Sequence, residues 1–161
     1  MARTDLWDRF SQRALPVWLP VAAVVLIVAR VISSRYEVKS PVDLVRWVLP
    51  RAAEQMARAA HKPILYEFGA EWCGPCHVME EEVFRDAELA KMINDKFVPV
   101  KLVDTRRETG KNLPEVATLE SRFGVRAFPT VVVVLQEEGA PRTMVGYPGK
   151  AEFETFLRGI P

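Results

Sequence analysis

The sequence predicts an α/β fold, a mixed sheet flanked by helices, with one transmembrane helix ahead of it. Three observations lead there. Short apolar runs alternate with helical patterns from Lys62 onward in the order βαβαββα. A short turn near Gly139 separates the last two strand patterns, which implies an antiparallel hairpin beside a parallel crossover. An uncharged stretch, Ala14–Ala29, stands apart from all of this near the N-terminus. The 161 residues suffice for one domain with a real core plus an appendage.

The elements follow in order. Residues 1–13 form an N-terminal tail. Residues 14–34, with Arg30 snorkelling to the headgroups, reach about 30 Å as a helix, one hydrocarbon thickness. Pro16 and Pro20 fall in its first turns, where a missing N–H does least harm, and Trp18 suits an interface. A cleaved signal peptide is the competing reading, but no A-x-A follows the apolar run. Arginines flank both sides, so charge does not set the orientation. Residues 35–50 form a linker. Ser40-Pro41 with Asp43 resembles a helix start, and Val42, Val45, Val48 and Leu49 have helical spacing up to Pro50.

The domain is expected over 51–161. Arg51–Ala60 is helical and Ile64–Phe68 is a strand. Cys76, Met79, Glu80, Val83 and Phe84 begin a helix that Leu89, Met92 and Ile93 continue or restart after Asp86. Phe97–Val103 is a second strand and Thr105–Asn112 a charged loop. Pro114–Phe123 is helical and Gly124 ends it. Thr130–Leu135 is an apolar strand, Glu137-Glu138-Gly139 a turn, Arg142–Val145 a fourth strand and Ala151–Arg158 a closing helix. The sheet then carries helices on both faces.

Two cysteines are present, and they stand together in Trp72-Cys73-Gly74-Pro75-Cys76. No structural disulfide framework is possible, and the count fits a reducing or an oxidising compartment. Net charge is +1, which gives no ground for nucleic acid as a partner. The pair sits at a strand-to-helix corner, where unpaired N–H groups stabilise a thiolate. Cys73 is the candidate nucleophile and should be the more exposed sulfur. Cys76, a turn inward, is the candidate resolving thiol. Glu67 is an acid in an otherwise apolar strand, costly unless paired or used. His77 completes a literal C-x-x-C-H, a haem-attachment pattern, but a compact sheet corner leaves little room for haem. His61 and His77 alone are too few for zinc without acids, so no metal is expected.

These segments resemble the thioredoxin superfamily. Glu67-Phe68-Gly69-Ala70-Glu71-Trp72-Cys73-Gly74-Pro75-Cys76 looks like its active-site segment, and Arg122–Thr130 looks like the segment ending in its cis-proline. Val145-Gly146 followed by a helix resembles its last strand and glycine. The likeness covers roughly Arg51 to Gly159. Over Met79–Asp104 it is closer to the C-terminal periplasmic domain of the bacterial transmembrane thiol:disulfide interchange protein.

The resemblance implies a thioredoxin fold and a redox-active Cys73–Cys76 disulfide with no other cofactor. It implies that Glu67, where the family usually has Asp, relays a proton to Cys76, with Lys101 as its neighbour. An outward-facing Glu67 and an exposed strand Lys101 are the alternatives. It implies a cis bond before Pro129, which brings Phe128 beside Cys73. Trp72, Gly74, Pro75, Phe128, Pro129 and Gly146 would line a groove for protein disulfide substrates, although Trp72 could equally be core filling. Gly-Pro between the cysteines resembles the reducing members. The expected activity is protein-disulfide reduction, recharged by a membrane-borne or soluble thiol electron donor. Oxidase, isomerase or a non-catalytic chaperone module are the alternatives. Tethering implies the inner membrane, with the domain on the periplasmic side.

Overall fold

A computed structural model describes residues 18–35, 42–136 and 139–161. The chain divides into two compact units, 1–38 and 39–161.

In the first unit α1 runs Trp18–Arg35, and Val21, Val24, Val25, Leu26, Ile27 and Val28 are all exposed on it. Among the described residues no helix is long and apolar enough to cross a membrane. Eighteen residues span only about 27 Å at the α-helical rise. The expected span of 14–34 begins in residues that lie outside the described ones.

In the second unit α2 (Pro50–Ala60), β1 (Ile64–Ala70) and α3 (Gly74–Met79) lead into a π-helical turn, Glu80–Phe84. Then come α4 (Ala87–Lys96), β2 (Val98–Asp104), α5 (Arg106–Thr109), α6 (Pro114–Phe123), β3 (Thr130–Val134), β4 (Arg142–Val145) and α7 (Lys150–Arg158). The strand order is β2-β1-β3-β4. The β1–β2 pair is parallel and the β1–β3 and β3–β4 pairs are antiparallel, the expected mixed sheet.

Alternation along β1 divides the core in two. Leu65 packs with Met79, Val83, Phe84, Ile93, Phe153 and Leu157 on one side. Tyr66 and Phe68 pack with Ala53, Ala57, Val100, Val116 and Val132 on the other. Helices therefore cover both faces. Glu67 lies on the Leu65 side of the strand by the same alternation, so its carboxyl faces α3 and the π-helical turn.

Two expectations are corrected. Residues 42–49 are not a helix. Asp43 turns its carboxylate back, accepting the Val45 N–H at 2.9 Å and the Trp47 indole N–H at 2.6 Å. Such short-range bonds compete with helix formation. The segment instead straps the domain edge: the Leu44 N–H donates to the Phe84 carbonyl and the Val48 N–H to the Pro99 carbonyl, both at 2.8 Å. The charged stretch 105–112 is not all loop, because α5 makes one turn before Gly110 enters the left-handed region at φ 77°. Asp86 settles whether the helix continues or restarts. Its Oδ1 accepts the Leu89 N–H at 2.8 Å and caps a new helix. Of the expected turn at 137–139, Glu137 and Glu138 lie outside the described residues.

Candidate active site

The corner after β1 puts Cys73 at the N-cap of α3, with extended backbone and Pro75 in the first turn. Cys73 and Cys76 form a disulfide across a Cα separation of 5.3 Å. The Cys76 N–H donates to the Cys73 sulfur at 3.2 Å. The same N–H stands ready to stabilise a Cys73 thiolate when the bond opens.

The exposure of the two is the reverse of the expectation. Cys73 is 3% exposed, whereas Cys76 is partly open. The capping geometry folds the Cys73 sulfur back over the helix start, and Cys76 faces a small cavity of about 60 Å³. Glu67, Gly69, Cys76, His77, Glu80 and Lys101 are among its lining residues.

Glu67 is 2% exposed, so the outward-facing reading fails. Its Oε2 has no hydrogen-bond partner among the described residues. Burial pushes its pKa up to about 7; the Lys101 cation opposes this, while Glu80 and Asp43 add to it. Parallel register sets Glu67 opposite Lys101 on the neighbouring strand. The Lys101 ammonium is nevertheless drawn elsewhere. It lies 3.0 Å from Glu80 Oε2 and 3.8 Å from Asp43 Oδ2, and 5.7 Å from the Phe84 ring centre. Burial penalises Glu80 as well, but hydrogen bonds from Lys101 and Arg85 hold its pKa below the usual carboxylate range. The lysine thus serves Glu80 and Asp43 directly and leaves Glu67 able to bind and release a proton near neutrality.

On the other side of the disulfide the Phe128–Pro129 bond is cis. Phe128 meets Trp72 edge-on, ring centres 5.9 Å apart. The Gly146 N–H donates to the Pro129 carbonyl at 2.7 Å, and Gly146 is in the left-handed region at φ 79°. The end of β4 therefore holds the proline loop in place. Trp72 is 43% exposed, which answers the core-filling alternative. Gly74 and Pro75 are exposed, and nothing lies within 4 Å of where a Gly74 side chain would begin. The expected groove residues are thus brought to one neighbourhood of the dithiol.

The His77 Nε2 pairs with the Glu71 carbonyl at 2.8 Å. Among the described residues no group of three or more His, Cys, Asp or Glu is placed to hold a metal ion.

Four residues escaped the sequence reading. Gly69 leaves room for the Glu67 carboxyl; a strand glycine is a recognisable signal of such close approach. Glu80 stands four residues after Cys76, on the same helical face, which was also legible. Asp43 arrives from the strap and carries no local signal. The Arg107 guanidinium lies 3.5 Å from the Trp72 ring centre, a pairing across the fold.

Comparison with known proteins agrees with this geometry. The model of the thioredoxin-like domain family matches residues 50–160. The thioredoxin of Alicyclobacillus acidocaldarius is 32% identical over 107 residues, covering 66% of this chain and 89% of that protein. The thioredoxin-related protein DsbJ of Chlamydia pneumoniae is 30% identical over 105 residues, which are 60% of this chain but 29% of that protein. Among solved structures, a Thermus thermophilus thioredoxin superposes with a TM-score of 0.58 at 25% identity, covering 72% of this chain and 86% of its own. The oxidised C-terminal domain of Neisseria meningitidis DsbD shares the fold, with a TM-score of 0.54 at 21% identity over 67% of this chain and 89% of its own. With its cysteine pair at the expected corner of the expected sheet, the chain belongs to the thioredoxin-like domain family.

Proposed function

We propose that the protein is a membrane-tethered thiol:disulfide oxidoreductase that reduces protein disulfides through Cys73 and Cys76. One observation carries the reading: Glu67, buried and poised to titrate near neutrality, shares a cavity with Cys76. A purely structural cysteine pair has no use for a proton acceptor there.

The steps follow from the positions. The Cys73 thiolate attacks one sulfur of a client disulfide; the client S–S bond breaks and its other sulfur leaves as a thiolate. Cys76 is still a thiol at this stage. Glu67, as carboxylate, takes its proton through the cavity. The Cys76 thiolate then attacks Cys73, the mixed disulfide breaks, and the second client thiolate departs. Two electrons have passed to the client and the Cys73–Cys76 disulfide seen in the structure remains. The proton on Glu67 leaves toward solvent past Glu80 and Lys101. A thiol electron donor, membrane-borne or soluble, restores the dithiol. Trp72, Phe128, Pro129 and Gly146 would hold the client chain as an added extended segment.

The exposed apolar side chains of α1 support the tether, since a row of valine, leucine and isoleucine in water is unfavourable. A tether favours exchange with a membrane-borne donor through local concentration, which suits a domain on the non-cytoplasmic side. An active alkaline phosphatase fusion at Pro161 in the membrane fraction is the expected result; an inactive fusion there reverses the side.

The activity is tested by insulin reduction with the full-length protein. Cys73→Ala should abolish it, and Cys76→Ser should accumulate mixed disulfides with clients. In the reduced protein Cys73 should alkylate at mildly acidic pH before Cys76, because the Cys76 N–H stabilises its thiolate. Preferential labelling of Cys76 would exchange the two roles.

A further inference from the structure

Arg106 and Arg107 are neighbours with opposite fates. Arg106 stays exposed but is paired to two buried acids: its Nε donates to Asp104 Oδ2 at 2.6 Å and its guanidinium lies 3.1 Å from Glu120 Oε2. Asn112 ties the same acids together and its Oδ1 accepts the Thr105 N–H at 2.7 Å. The turn of α5 is therefore held firmly. Arg107 projects the other way. It is exposed, its guanidinium stacks on the Trp72 indole at 3.5 Å, and among the described residues no ion pair engages it.

That contact favours a guanidinium held against the indole, while the side chain stays exposed to a partner. The site is one residue from Cys73, and Trp72 in turn meets Phe128 at the proline loop. A second exposed arginine, Arg126, lies on the segment entering that loop and shares a shallow cavity with Arg106. Glu71, the exposed acid beside Trp72, gives its carbonyl to His77 and forms no ion pair with Arg107. A guanidinium held against an indole and engaged in no ion pair among the described residues suits two parallel hydrogen bonds to a carboxylate.

We propose that Arg107 is a client-selecting residue, which uses its Trp72-stacked guanidinium to receive an acidic side chain flanking the client cysteine. This rests on the dithiol-exchange reading above. Positive potential beside the nucleophile also speeds the encounter with acidic segments and slows it with basic ones.

The test follows a single exchange in the full-length Cys76→Ser protein, which cannot resolve. Peptides of one length carry a cysteine as its 2-thiopyridyl disulfide, flanked by aspartates, serines or lysines. The Cys73 thiolate attacks the peptide sulfur, the thiopyridine leaves with the electron pair, and its absorbance gives the rate. With Arg107 intact, aspartate peptides should react about fivefold faster than lysine peptides at low salt, and added salt should compress the ratio. Arg107→Glu should invert the order. Arg107→Gln should bring the ratio near one, and Arg107→Lys should fall between, keeping charge without the planar fork. An effect of Arg107 on Cys73 reactivity alone would slow every peptide alike and cancel from the ratio. The same ratio in Arg107→Glu as with Arg107 intact overturns the proposal and leaves the exchange reading standing. No exchange with any peptide removes both.

Discussion

Glu67 and Cys76 share a cavity because residue 69 is glycine. A Cβ at that position would stand 2.8 Å from Glu67 Oε1 and 3.6 Å from the Cys76 sulfur. Gly69→Ala must push the carboxyl end of Glu67 aside. The expected result is a loss of about 1–2 kcal/mol in stability, with a slower resolving step, since the carboxyl no longer faces the sulfur. Urea denaturation and rapid-quench trapping of the mixed disulfide measure the two. An alanine variant that resolves as fast as glycine would show that proton transfer does not depend on this proximity.

Glu67→Gln should separate catalysis from stability. Burial raises the folded-state pKa of Glu67 to about 7, above that of an unfolded carboxyl. The folded protein thus binds this proton more tightly than the unfolded chain. The destabilisation is full above pH 7 and is relieved as pH falls through about 7 toward the ordinary carboxylate range. Glutamine keeps the volume without the charge. At pH 8 it should raise stability by roughly 3 kcal/mol and flatten the stability profile through that window, while resolution slows. Asp86 and Asp104, whose pKa values lie below the usual range, lose their stabilising role only at lower pH. Acid unfolding below that window should therefore be the same in both proteins.

Much of this site was legible before the fold. The strand before the dithiol, the corner and the four strands were all readable, because apolar runs bounded by Gly and Pro carry their own signal. Resemblance supplied the cis bond before Pro129 and the partnership of Glu67 with Lys101, which spacing alone would not. The strap was misread because Val42, Val45, Val48 and Leu49 repeat at helical spacing. What decides their conformation is Asp43 capturing Trp47 and the pairing of Leu44 and Val48 with distant carbonyls, neither of which has a local pattern. The order of exposure also differs from the expectation: Cys73, at the helix N-cap, is buried, and Cys76, which lines the small cavity, is partly exposed.

The lysine network yields a pair of opposite shifts. Lys101 lowers the pKa of Glu67, and Asp43 raises it. Lys101→Met should therefore move the midpoint of the pH profile for resolution upward, and Asp43→Asn should move it downward. A structural role for either residue would change the rate without displacing the midpoint in opposite directions. Rates of mixed-disulfide decay between pH 5 and 9 give both midpoints.

The strap gives the last prediction. Trp47 packs edge-on against Phe84 with ring centres 4.9 Å apart, and its indole N–H donates to Asp43. Val45 is buried in the same core as Met79, Val83 and Phe84. Residues 42–49 precede the span matched by the family model, yet they cover the π-helical turn that presents Glu80 to Lys101. Trp47→Ala removes the ring contact and the indole hydrogen bond to Asp43 at once, leaving Asp43 its Val45 amide and Lys101. The expected cost is about 2–3 kcal/mol, somewhat less than for a fully enclosed aromatic. Hydrogen exchange should show where the loss falls. The Leu44 and Val48 amides, which pair with Phe84 and Pro99, should lose protection before any amide of β1 or β3, because the strap opens as a local unit on an intact sheet. Uniform loss across the sheet would mean instead that the strap and the core unfold together.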